Sequence, residues 1–438
     1  MCAKKILSIA LAMAISLTFC GCDFFTMETE QMLTPPALIG EMAPIQQALN
    51  KSVQGEYTLT YPSSGEYRSA VLINDIDGDG VSEAFAFYSQ LDDDINYMHL
   101  NVICRKGSEW KSVSDQKIAA GGVDCVDFAD LNSDGNMEII VGWEIYGSSG
   151  KQLTVYSFEN DVISQKLTHE YTSFLSCDLD SNGESELFVH NFNVATSINA
   201  AFLYTIDKSG TAQLSSCVMD RSVKSVSVPV LSVLSNGQSA IYIDEVKSTG
   251  NITEVLFLEN GVLVNPLLYA ETGENTKTLC VSDVSIADIN GDEIIEIPIS
   301  EEMISSVSQP ATKKVYYTKW CAFDGVNLNV KQTTLLNSAD GYYILVPEKW
   351  IGHIALTRDT EKHSRTIYSY DAIEDVTGVP LVQFMAIPIS NWDEFKKENK
   401  EMIEISRNST YIFAGRIYSD GESLSITEQE LKNMFFLY

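Results

Sequence analysis

DIDGDGVSE at residues 75–83 decides how this chain is read, because the same pattern returns three more times. DLNSDGNME occupies 130–138, DLDSNGESE 178–186 and DINGDEIIE 288–296. Each copy has Asp at position 1, Asp or Asn at positions 3 and 5, and Glu at position 9, and three have Gly at position 6. A decayed copy, SVLSNGQSA, starts at Ser232 and keeps only Asn236 and Gly237. The first positions are 75, 130, 178, 232 and 288, at intervals of 55, 48, 54 and 56 residues. A fixed period of this length marks one structural unit used repeatedly.

Working outward, each copy sits among the same strand-like runs. In the second unit VDCVDFADL leads in, EIIVGWEIY leaves, KQLTVYSFE follows and DVISQKLTHEY closes. The third unit repeats this as TSFLSCDL, ELFVHNF, AAFLYTID and AQLSSCVM. Runs rich in Val, Ile, Phe, Tyr and Thr, separated by Gly, Asn, Asp and Ser, predict β-strands. Four strands per unit suggest a propeller blade, because a lone four-stranded sheet cannot cover both of its faces and stacked sheets can. The expectation is an all-β propeller of about five blades over 54–337, with six or seven blades and a two-sheet sandwich as alternatives. The segment EYTLTY at 56–61 is a candidate to complete the last blade and close the ring.

The nine-residue loops carry the chemistry. Positions 1, 3 and 5 place side-chain oxygens around one point, and a carbonyl near position 7 and the carboxylate at 9 complete a cage. About five or six hard oxygens suit Ca²⁺ better than Mg²⁺, which demands tighter octahedral geometry and keeps its water. Gly at position 6 permits a left-handed turn. An EF-hand differs in its helical flanks and its glutamate at position 12. Asp and Asn also cap hairpin turns without any metal.

These loops resemble the calcium loops of the FG-GAP and VCBS-repeat propellers, including the integrin α-subunit head. The resemblance implies ligands at Asp75, Asp77, Asp79 and Glu83 in the first loop, and at Asp130, Asn132, Asp134 and Glu138 in the second. In the third it implies Asp178, Asp180, Asn182 and Glu186, and in the fifth Asp288, Asn290, Asp292 and Glu296. Two departures stand out. Glu293 occupies the glycine position of the fifth loop, and the FG-GAP string itself is missing, with Val141-Gly142-Trp143 as an echo. GEYRSAVLINDIDGDGVSEAFAFY, with the preceding LTPPAL, also resembles VCBS-repeat lipoproteins of Clostridia-like Firmicutes.

The amino terminus reads as an export signal over 1–21. Lys4 and Lys5 precede an uncharged run from Ile6 to Cys20, short for a membrane span. Gly21-Cys22 then resembles the bacterial lipobox, which implies that Cys22 is diacylated and holds the chain on the outer side of the cell membrane. An ordinary cleaved signal peptide is the alternative. Residues 22–53 are expected to be a tether followed by a short amphipathic helix from Leu38 to Val53. The six later cysteines (Cys104, Cys125, Cys177, Cys217, Cys280 and Cys321) form no C-x-x-C pair, and their apolar settings favour buried free thiols.

After Leu336 the period stops, and 338–438 are expected to form a small α+β domain. Strands are predicted on both sides of Pro347-Glu348-Lys349-Trp350, and over 365–370, 381–389 and 410–418. Asn391 with Glu394, and Thr427 with Glu430, have capping-box spacing. The opening G-Y-x-x-x-V-P-x-x-W looks like small domains appended to other Gram-positive lipoproteins. His353 and His363, near Arg358, Asp359 and Glu361, read as a solvated hairpin, and Trp350 and Trp392 as core.

A net charge of −31 argues against nucleic acid, which is bound by clustered Lys and Arg. No G-x-S-x-G, H-E-x-x-H or phosphate-binding glycine loop occurs in the chain. The first expectation is therefore a surface module that binds or scaffolds a protein or glycan. An extracytoplasmic hydrolase or lyase working on a propeller face, and an envelope assembly factor, are the alternatives.

Overall fold

The structure is a computed structural model that describes residues 42–91, 97–147, 150–207, 212–418 and 422–438. The export signal, Cys22 and the tether lie outside the described residues. The chain opens with helix α1 (Met42–Ser52) and continues through six antiparallel sheets. The first holds β1 (Tyr57–Leu59), β2 (Val71–Asn74), β3 (Glu83–Gln90), β4 (Tyr97–Lys106) and β5 (Glu109–Ala119). The second holds β6 (Gly122–Ala129), β7 (Glu138–Glu144), β8 (Lys151–Glu159) and β9 (Val162–Tyr171). The third holds β10 (Ser173–Cys177), β11 (Glu186–Asn193), β12 (Ile198–Ile206) and β13 (Ala212–Val218). The fourth holds β14 (Ser225–Val226), β15 (Val230–Val233), β16 (Ser239–Val246), β17 (Asn251–Glu259) and β18 (Val262–Val264).

The fifth sheet takes β19 (Glu296–Glu302), β20 (Tyr316–Phe323), β21 (Leu328–Asn337) and β22 (Tyr342–Leu345). The sixth takes β23 (Ile354–Asp359), β24 (Ser364–Asp371), β25 (Val376–Pro388), β26 (Ile403–Arg407) and β27 (Tyr411–Ile417), with helices α2 (Trp392–Glu398) and α3 (Glu428–Asn433). The last strand, β28 (Phe435–Leu437), returns to β22, so the fifth sheet runs on across residue 337. Thr427 and Glu430 form the expected capping box on α3, while Asn391 makes no side-chain cap on α2.

Alternate residues of the second strands face opposite neighbours, as the period of two in a β-strand requires. Phe85 and Phe87 of β3 pack toward the second sheet, whereas Ala84, Ala86 and Tyr88 pack under α1. On β7, Ile139, Val141 and Trp143 face the first sheet and Ile140 the third. On β11, Leu187 and Val189 face the second sheet and Phe188 the fourth. On β16, Ile241 and Ile243 face the third sheet and Tyr242 the fifth. Burial on both faces is why these strands read as continuous apolar runs and not as alternating ones. Gly142 is required inside β7, since a Cβ there would collide with the Tyr171 hydroxyl and the Cys125 thiol.

Consecutive sheets thus share cores, and one further core joins the fifth sheet to the sixth. Among the described residues, no hydrophobic core joins the first sheet to the fifth or sixth. The free face of the first sheet is covered by Ile45, Ala48 and Leu49 of α1. EYTLTY, expected to complete the last blade, instead pairs within its own sheet, with Tyr57 opposite Gln90 on β3. The reason is local: β2 covers only Glu83–Ala86 of β3, and β1 takes the edge left open beyond it. The six cysteines are free thiols, and burial pushes Cys104, Cys177 and Cys217 up to about 12.

Candidate metal centres in the acidic hairpins

The first three acidic repeats join two paired strands and lead into β3, β7 and β11; the last leads into β19, the edge strand of the fifth sheet, where a single bridge from Ala287 to Glu296 stands in for the preceding strand. Each is held by the same hydrogen bonds. The position 1 carboxylate accepts from the backbone N–H of position 6: Asp75 from Gly80 at 3.0 Å, Asp130 from Gly135 at 3.0 Å, Asp178 from Gly183 at 2.9 Å and Asp288 from Glu293 at 2.9 Å. Position 5 accepts from position 7, at 2.7 Å for Asp79, 2.8 Å for Asp134, 2.6 Å for Asn182 and 3.0 Å for Asp292. The position 9 glutamates are buried, and each accepts from the N–H of position 2: Ile76, Leu131, Leu179 and Ile289. Ile76, Leu131 and Leu179 are themselves buried, which pins the turn to the core.

Two residues per hairpin have left-handed backbone, at positions 4 and 6. Position 6 is Gly80, Gly135 and Gly183 in the first three hairpins and Glu293, at φ 67°, in the last. The fifth turn therefore forms as the others do, with its three N–H bonds to Asp288 overriding the poor residue choice. An L-residue in this region costs on the order of 1 kcal/mol. Glu293→Gly should accordingly raise the urea midpoint by the equivalent of about 1 kcal/mol; a lowered midpoint would show that the side chain supports the turn.

Neighbouring hairpins lie side by side. Met137 N–H donates to Ile76 O at 2.7 Å between the first and second, and the Ser181 and Ser239 hydroxyls meet at 3.1 Å between the third and the decayed fourth. In that fourth turn Leu234 and Ala240 replace positions 3 and 9 and are fully buried. Its loop is tied instead to the fifth sheet, through Ser235 N–H to Phe323 O at 2.8 Å and the Asn236 amide to Asp324 O at 2.9 Å.

Position 3 separates the four hairpins into two kinds. Asn132 donates its amide to Glu138 Oε1 at 2.9 Å, and Asn290 does the same to Glu296 at 3.2 Å. Asp77 and Asp180 have no proton to give. In the third hairpin Glu186 Oε1 is buried with no hydrogen-bond partner. In the first, Asp75 Oδ1 is left so for another reason: the Asp79 N–H turns to Asp77, whereas the position 5 N–H of the other three hairpins donates to the position 1 aspartate. Ligand oxygens converge within 4.8 Å in three groups: Asp75, Asp77 and Glu83; Asp178, Asp180 and Glu186; and Asp288, Asp292 and Glu296. The carboxylates of the second hairpin form no such group. Asp79, which accepts from Val81 N–H, lies outside the first group, and Asn182 accepts from Glu184 N–H while donating to Asp180 at 2.9 Å.

Burial, reinforced by the neighbouring aspartates, pushes Glu83 and Glu138 up to about 7 and raises Glu186 and Glu296 as well. Buried carboxylates in negative surroundings, one with an unanswered oxygen, have the donor chemistry of a hard divalent cation site.

A second polar assembly, outside every repeat motif, lies between the third and fourth sheets. Asp220, fully buried, pairs with Lys247 Nζ at 2.7 Å and accepts from Ser222 and Asn275 N–H at 2.8 Å each. Asn199 donates to Glu245 at 2.8 Å and receives His190 Nε2 at 2.8 Å, and Glu254 accepts from Asp220 N–H at 3.0 Å. The visible signal was a charged or polar residue inside an apolar strand, as in IYIDEV and LFVHNF. Burial and mutual repulsion push Glu245 up, and burial pushes Glu254 to about 7. A carboxyl raised on folding stabilises the native state below its unfolded value, and that contribution is lost as pH rises through the folded one. In saturating calcium the melting temperature should therefore fall from about pH 5 to about pH 7.5. Combined Glu245→Gln and Glu254→Gln should make the profile shallower, with Glu138 supplying part of the slope that remains; an unchanged slope would assign it elsewhere.

In the carboxy-terminal part Trp350 is buried and donates Nε1 to Leu424 O at 2.8 Å, and Trp392 is half-buried against Phe395. His363 pairs with Asp340 at 2.6 Å, and no metal group forms around either histidine among the described residues.

No family model matches the chain, and no curated protein does. Among solved structures, an exotype rhamnogalacturonan lyase gives a TM-score of 0.31 at 9% identity, over 71% of this chain and 72% of that one. A Bacillus licheniformis rhamnogalacturonan lyase gives 0.31 at 10%, over 74% and 76%. The periplasmic gluconolactonase of Pseudomonas aeruginosa gives 0.26 at 12%, over 68% and 81%. Overlaps this slight carry no activity across to this chain.

Proposed function

We propose that this chain is a cell-surface lipoprotein of the FG-GAP/VCBS-repeat kind, held to the membrane by a diacylated Cys22. Its first five sheets are blades of the propeller type stacked in chain order, with α1 in place of a last blade on the free face of the first, followed by a carboxy-terminal unit. Calcium stiffens the hairpins of those blades, and the edge that carries them binds or scaffolds a protein or glycan. The observation that supports this reading is the recurrence of one hydrogen-bonded acidic turn at one place in successive sheets, with converging oxygens in three of them. Stacking brings adjacent turns together into a continuous surface, which suits recognition better than isolated loops would. The carboxyl groups gathered outside the hairpins, Glu245 and Glu254, have no exposed surface, which favours a framework role over acid–base chemistry on a substrate.

The test is capture from envelope extract with the mature soluble chain, in calcium and in chelator. The same protein or glycan should be retained only in calcium, and lost with Asp75→Asn plus Asp178→Asn. No retention, or retention indifferent to both calcium and the substitutions, overturns the reading.

A further inference from the structure

The chain carries 60 acidic and 29 basic residues, yet one cavity of about 500 Å³ has no carboxylate in its lining. It opens where the connection from β19 to β20 meets β23 and β25 of the sixth sheet. Lys313, Lys314 and Arg358 line it, with Gln309, Thr357 and Thr377 among its other walls. Lys314 is neutralised by Glu302, which lies 2.8 Å away. Lys313 and Arg358, both exposed, leave the cavity with two positive charges unanswered by its own lining.

The walls are firmly built. Ser306, buried, donates to Met303 O at 3.0 Å and accepts from Val315 N–H at 3.1 Å, and Ser305 donates to Ile354 O at 3.0 Å across the junction. Clefts of a few hundred Å³ between packed units are where small ligands are commonly held.

From this we propose that the cavity binds a small hydroxylated carboxylate, of the size of one acidic sugar. The planar guanidinium of Arg358 offers paired N–H donors that match a carboxylate, and Lys313 adds a point charge. Hydroxyl and amide groups on the remaining walls answer the ligand's own hydroxyls. This site is separate from the calcium hairpins, so it stands or falls independently of them.

Calorimetric titration of the calcium-replete chain with glucuronate, inorganic phosphate and glucose tests it. Glucuronate should bind saturably, at least tenfold tighter than phosphate or glucose. Arg358→Gln and, separately, Lys313→Gln should each weaken it at least tenfold with no change in melting temperature, both side chains being exposed. Absence of saturable glucuronate binding, a preference for phosphate, equal binding of glucose, or indifference to both substitutions overturns the proposal.

Discussion

Moving the chain from chelator into 10 mM calcium should raise its melting temperature by roughly 6 °C. A site binding at about 10⁻⁴ M, typical of extracellular modules, gains about 2.7 kcal/mol when calcium stands a hundredfold above its dissociation constant. The first and third hairpins carry an aspartate at position 3 and a carboxylate oxygen left unpartnered, so they are the two expected to fill. Together they contribute about 5 kcal/mol, against an unfolding entropy of roughly 0.8 kcal/mol per degree for a chain of about 400 residues. Asp75→Asn and Asp178→Asn should each remove about half of the rise, and the pair nearly all of it. Asparagine can still accept the position 6 N–H, so the turn itself survives these changes. Asn132→Asp should enlarge the rise, because it withdraws the amide that now occupies Glu138. A melting temperature indifferent to calcium would falsify the metal reading at every hairpin.

Lys247→Met should cost about 3–5 kcal/mol in urea denaturation, the usual penalty for leaving a buried charge alone. The Asp220 side chain has 0% exposure and that of Lys247 only 7%, so no water replaces the lost ammonium. Asp220 cannot simply move away, because it also receives the N–H groups of Ser222 and Asn275. Asp220→Asn in the Lys247→Met background should recover part of the loss, since the amide carbonyl can keep those two bonds without a charge. The comparison is Lys106→Met. Its pair with Asp161 is 44% and 46% exposed, and its loss should cost less than about 1 kcal/mol. Equal costs for the two substitutions would show that the interior of the third and fourth sheets is wetter than its packing indicates.

How much could be read in advance depended on the range of the interactions. The nine-residue turns were legible because their contacts close within themselves: Asp75 reaches Gly80, Asp79 reaches Val81 and Glu83 reaches Ile76. The strands around them were legible from composition. The difference between Asp and Asn at position 3 was already written in the sequence, but its consequence became readable only when the Asn132 amide was seen to point at Glu138. The turn at Glu293 looked doubtful from residue preference alone, and three backbone donors on Asp288 proved sufficient to hold it.

The remaining features rest on partners far apart in the chain. EYTLTY could have paired with any sheet that had an open edge; the shortness of β2 left that edge on β3. The strand β28 meets β22 across some ninety residues, and Asp220 meets Asn275 across 55. Sequence by itself determined the repeated acidic turn and the strand content, since turn geometry and side-chain periodicity are settled by residues a few positions apart. Tertiary packing alone decided that a helix covers the first sheet, that a charged network fills the gap between the third and fourth, and that a cationic cavity opens beside the sixth. Those outcomes follow from which surfaces are left to be buried once the sheets have stacked, and no local stretch of residues encodes that choice.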